Sequence, residues 1–191
     1  MANRSYLYAA NRTPGSDSGF DKIIGVSESS YDIPLVYKIL VSGRPSACRS
    51  LIWEYPEPIS IAGDYEHGME RLSAFLSDIR HPDIDLLRSQ TMDFLSSAMT
   101  RRKFFVLECG EIFEMDGDQS IEAQNLALVE EITQVDLQMA EALKELNGTT
   151  RSTFDKIKAF LVGKPEEGSA QAIEHLGLDR WSRDLYFSPS G

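Results

Sequence analysis

Forty consecutive residues, 104–143, contain no lysine or arginine and ten acidic side chains. This run constrains the fold more than any other feature of the chain. It opens on Phe104-Phe105-Val106-Leu107, which must be hidden from water, and then turns acidic. A helix built from its later part has no Glu–Lys pairs at i,i+4 to support it. Its stability must come from an apolar face packed on something else, and its acids must meet cations from elsewhere or stay in solvent. The remainder of the chain is nearly neutral, with 12 basic and 13 acidic residues before Phe104 and seven of each after Leu143. Nearly all of the net charge of −11 therefore resides in one segment.

Periodicity around that segment predicts an α+β fold. Short strands are expected near 4–9, 59–62 and 103–108, and a further strand at 111–115, turned back on its predecessor by Cys109-Gly110. Helices are expected over Ile33–Leu40, capped by Asp32, over Ser46–Trp53, over Asp64–Ile79 and over Asp83–Met99. A long helix of about 119–146 should follow. Leu128, Ile132, Val135, Met139, Ala142 and Leu146 form a heptad-like seam along it, widened by Leu126, Val129, Leu137 and Leu143. Two shorter helices are expected over Thr153–Val162 and Ser169–Leu176, and the aromatic tail Trp181–Phe187 is expected to pack against the body. At 191 residues the whole chain, 1–191, reads as a single globular domain, with room for a helical C-terminal extension over 150–191.

An acidic chain repels phosphate backbones and anionic headgroups, so no nucleic acid and no membrane is expected among its partners. No stretch approaches the roughly 18 apolar residues of a spanning helix, and no signal segment is visible at the start; a cytoplasmic location is expected. Cys48 and Cys109 suit a reducing compartment, and neither disulfide nor zinc spacing is present. No phosphate-binding glycine loop, nucleophile elbow or zinc-binding H-E-x-x-H occurs. Glu114–Glu122 superficially follows a calcium loop. However, with Gly117 in the sixth position, Ile112 and Ala123 fall where oxygen ligands are required, so no metal or other cofactor is expected.

Asp64, Glu66 and His67 are the one grouping with acid–base potential, and a small hydrolase built on them is one reading. The seam at 128–146 supports another, a homodimer or larger structural assembly. The basic-free segment supports a third, a surface for a cationic protein partner, with Glu108, Glu111, Glu114, Asp116, Asp118, Glu130 and Glu131 as contact residues and no catalytic residue.

The opening Met1-Ala-Asn-Arg-Ser-Tyr-Leu-Tyr8, with Gly25-Val-Ser-Glu28 and Ile33–Gly43 after it, resembles a group of uncharacterised bacterial cytosolic proteins that begin the same way. In size, acidity and lack of catalytic motifs the chain is also similar in type to the acidic immunity proteins of interbacterial toxin systems. That resemblance implies a non-enzymatic binding protein that neutralises a cationic toxin domain.

Overall fold

The computed structural model describes residues 3–14, 22–81, 84–115, 117–148 and 176–187. Among these residues, five strands form one antiparallel sheet: β1 (Arg4–Ala10), β2 (Ile24–Ser30), β3 (Ser46–Cys48), β4 (Ser60–Asp64) and β5 (Phe104–Glu108). Their order is β2-β1-β5-β4-β3, so the last strand lies in the centre. Six helices accompany them: α1 (Leu35–Val41), α2 (Tyr65–Asp78), α3 (Ile84–Ser96), α4 (Gly110–Phe113), α5 (Ile121–Thr133) and α6 (Val135–Gly148). The fold is α+β.

Alternation along the strands divides the side chains between two layers. Leu7, Ala9, Val26, Ile61, Phe105 and Leu107 point to the main core, which α1, α2, α3, α5 and α6 cover. Tyr6, Tyr8, Ala10, Cys48, Ala62 and Val106 point to the other face. That face is roofed by Leu51, Ile52 and Trp53 of the segment between β3 and β4, and by Leu185 and Phe187 of the tail. The aromatic tail thus packs on the body as its composition implies. Tyr6, Trp53 and Phe187 meet edge to face, with ring centres 5.7–6.3 Å apart.

Several expected elements differ. The hairpin strand at 111–115 is absent, and Gly110–Phe113 is a short helix instead. The reason is topological: β1 and β4 already occupy both edges of β5, leaving no edge for a further strand. The expected helix at Ser46–Trp53 is β3 followed by a turn, in which Ser50 Oγ accepts from the amides of Ile52 and Trp53. The long helix is broken at Gln134 into α5 and α6, although the seam runs on across the break. Its residues Leu128, Ile132, Val135 and Leu146 are buried in the chain's own core, so the seam is not a free dimer contact. Asp32 accepts from the neighbouring Ile33 amide rather than capping α1, which starts after Pro34.

β2 carries no obvious strand signal. Its inward serines replace apolar residues: Ser27 accepts from the Tyr37 hydroxyl and donates to the Arg180 carbonyl, while Ser29 accepts from the Arg180 guanidinium. The helices expected at 153–162 and 169–176 lie outside the described residues apart from Leu176, as does Asp116.

Backbone contact at two glycines brings α1 against β4 and α2. A Cβ on Gly63 would lie 2.1 Å from the Val41 carbonyl oxygen, and one on Gly68 2.0 Å from that of Leu40. Gly68 lies within α2, where propensity alone would make alanine stabilising by about 0.5–1 kcal/mol. The steric term is larger and opposite in sign. Gly68→Ala should lower stability by ~3 kcal/mol, seen as a fall in the urea midpoint at unchanged slope.

Candidate functional site

The three residues with acid–base potential do not converge. Asp64 is the N-cap of α2, accepting from the His67 amide at 2.9 Å, and its second oxygen lies 3.4 Å from Arg44. Glu66 turns away to Arg101, 2.9 Å distant. A groove of about 540 Å³ runs between α2 and α3 beside this pair, lined by Met69, Glu70, Ser73 and Met92 among others. His67 is exposed and is not among the lining residues. The arrangement therefore offers a capped helix and a surface ion pair, with no acid and base facing a common substrate position. Among the described residues, no group of three or more His, Cys, Asp or Glu could hold a metal ion.

The acids of the basic-free segment separate into distinct populations. Glu108 ends β5 at the centre of the sheet and is fully buried, so it is no contact residue for a partner. Its Oε1 accepts from the Leu51 amide at 2.6 Å, and its Oε2 accepts from the hydroxyls of Ser50 (2.9 Å) and Ser60. Among the described residues, no cation pairs with it. Loss of hydration outweighs these three hydrogen bonds and pushes its carboxyl up to about 7. Both thiols are buried too, and loss of hydration, reinforced by the nearby Glu108 charge, raises each. Glu111 is half-buried and structural: its carboxylate accepts from the Arg4 amide at 2.8 Å and from the Tyr6 hydroxyl.

Two acids on the long helical segment find cations at home. Glu131 meets Lys38 of α1 at 2.6 Å, and Asp136 meets Arg71 of α2 at 2.5 Å. Burial opposes ionisation of Glu131. The hydrogen bonds from Lys38 and Gln138, with the Lys38 charge, nevertheless hold its carboxyl below the ordinary value.

Glu114, Glu122, Glu130 and Glu141 form no ion pair with a described residue. Glu114, Asp118, Glu130 and Glu141 are exposed. Glu130 and Glu141 stand on the outer side of α5 and α6, interleaved with Leu126, 51% exposed, and Leu137, 66% exposed. Ala123, Ala127 and Ala140 complete the exposed row. Leu126 and Leu137 are not part of the inward face, contrary to expectation. Each is two residues from a seam position, about 200° around the helix, and that offset is the signal by which they could have been found.

The fold is thus an antiparallel sheet with one helical layer, and its most distinctive surface is an acidic row with apolar members. Residues 11–149 match the family DUF7822, a domain of unknown function, and the chain belongs to that family. No curated protein and no solved structure matches it. Among the described residues, no helix is long and apolar enough to cross a membrane.

Because Glu108 binds its proton more tightly in the fold than in the unfolded chain, its contribution to stability is complete below pH ~4.5 and is lost as the pH rises through about 7. That loss amounts to roughly 3 kcal/mol. Glu108→Gln removes the titration. The stability of the variant relative to the parent should rise by about 3 kcal/mol between pH 4.5 and pH 8, as read from urea unfolding at each pH.

Proposed function

We propose that this chain is a non-enzymatic binding protein of the immunity type, acting in the bacterial cytoplasm, and that it docks a cationic toxin domain on the outer side of α5 and α6. One observation carries the reading. Glu131 and Asp136 are neutralised by Lys38 and Arg71, whereas Glu130 and Glu141, on the same two helices, form no ion pair with a described residue and flank exposed leucines. Plain solubility needs charge but does not need Leu126 and Leu137 in water. An interface needs both: apolar side chains for the water-excluded centre and charge around it to steer the encounter.

The contact set therefore changes from the one read in the sequence. Leu126, Glu130, Leu137 and Glu141 form its middle. Glu114 and Asp118, exposed before the start of α5, extend it, and Glu131, paired with Lys38, leaves the set. Glu108 and Glu111 serve the fold. Occlusion of a toxin requires no catalytic group on the inhibitor.

Wild-type chain immobilised at low salt should retain a basic protein from the producing cell in 1:1 stoichiometry. That protein, once purified, serves as the analyte. Glu130→Lys with Glu141→Lys should slow its association by about 10- to 100-fold at low ionic strength, with the difference shrinking as salt is added. Leu137→Ala should instead speed dissociation by about tenfold. A retained protein that is acidic, or one indifferent to both variants, overturns the reading.

A further inference from the structure

The groove between α2 and α3 takes no part in the α5–α6 surface, and its shape follows from side-chain size. Glu66, Glu70, Ser73 and Ser77 succeed one another at steps of four, three and four residues. They form a single stripe of α2 about 16 Å long. Arg71, the residue of α2 that meets Asp136 of α6, lies outside this stripe. Beyond Glu70 the stripe holds only small side chains, and the Ser77 hydroxyl turns back to the Ser73 carbonyl at 2.7 Å. Two methionines, Met69 of α2 and Met92 of α3, therefore remain as an apolar floor. Methionine is flexible and polarizable, and it adapts to varied apolar partners.

Charge sets the sign of what this groove accepts. Arg101, its one cation, is engaged by Glu66: Nε and a terminal guanidinium nitrogen each lie 2.9 Å from the same Oε1. Glu70 is exposed and forms no ion pair with a described residue. An anion entering the groove would have to break the Arg101 pair and pass Glu70, whereas a cation meets Glu70 directly. We propose that the groove binds a basic amphipathic helix of a partner protein. Its apolar side chains seat on Met69 and Met92, and a lysine or arginine at the edge of that apolar face reaches Glu70.

A helix fits this place better than an extended peptide. An extended chain needs a sheet edge for its amides and carbonyls, and the walls here are two helices whose own backbone groups are already paired. A helix satisfies its backbone internally, and the small side chains at 73 and 77 let it approach closely. The stripe of about 16 Å accommodates roughly three helical turns. The site does not rest on the α5–α6 reading, since none of its residues belongs to those helices. Residues 151–164 of this chain carry four cations and one acid, and they are the rival occupant that the test must separate.

The probe is a fluorescein-labelled peptide of about 14 residues, leucine and lysine at helical spacing, titrated with the full chain. Salt is held at about 150 mM, where charges beyond about 8 Å are screened. Anisotropy should saturate at one peptide per chain, and the same peptide with glutamate for lysine should not bind. Glu70→Lys, which reverses the rim charge, and Ser73→Trp, which fills the groove, should each weaken binding at least ~10-fold. Glu130→Lys with Glu141→Lys changes the net charge by more but should alter binding less than ~2-fold, which keeps a failure here distinct from a failure of the α5–α6 reading. Absence of saturable binding, retention in both groove variants, or an equal loss in the α5–α6 variant overturns the proposal. So does binding ~10-fold tighter in a chain carrying Lys156→Glu and Lys158→Glu, which makes residues 151–164 the occupant. A dimer in sedimentation that Ser73→Trp abolishes makes it a second copy and overturns the proposal equally.

Discussion

The pairing of β5 on both its edges is the constraint from which the rest of the structure follows. Phe104–Glu108 is central although it is the last strand among the described residues, so every earlier strand is arranged about it. Its alternation sends Phe105 and Leu107 into the helical layer and Val106 and Glu108 to the opposite face. Once β1 and β4 are in place, the chain beyond Glu108 has no edge of β5 to fold back on. It must leave the sheet, and it leaves as helix. The acidic segment is therefore helical by exclusion from the sheet as much as by its own propensity, and α5 and α6 return across the main core because their seam needs covering.

This origin explains why elements with a period of their own were readable in the sequence and those defined by their neighbours were not. β1, β4, β5, α2 and α3 follow apolar spacing, and Asp64 marks the start of α2 as an acidic N-cap should. β2 was invisible because Ser27 and Ser29 are buried through partners as distant in sequence as Arg180. Nothing in Ile24–Ser30 announces a tyrosine from α1 and an arginine from the tail. The strand expected at 111–115 was locally reasonable and failed on topology alone. β3 was missed for the reverse reason, since three residues pair with β4 while Ser50 turns the chain immediately afterwards.

The candidate surface was legible in charge and not in direction. Counting acids identified the segment but could not separate Glu108, which is inside the sheet, from Glu130, which is outside everything. Direction came from the cations of other helices. Lys38 and Arg71 reach across from α1 and α2 and take Glu131 and Asp136 out of the unneutralised set. Local sequence holds no record of those pairings, because the partners stand 93 and 65 positions apart.

Burial and exposure thus assign opposite tasks to chemically identical groups. An exposed glutamate keeps its hydration, and its charge acts at a distance that salt controls. Glu108 has surrendered its hydration to three fixed donors, and the balance between those terms moves its proton equilibrium close to neutrality. The neutral form is the better one for the fold, because a buried charge is costly and the 50–53 segment that roofs this face keeps water from the carboxyl. Asn125 extends the connection outward: its amide donates to the carbonyls of Pro58 and Ser60, so α5 rests on the strand that supplies one of the donors to Glu108.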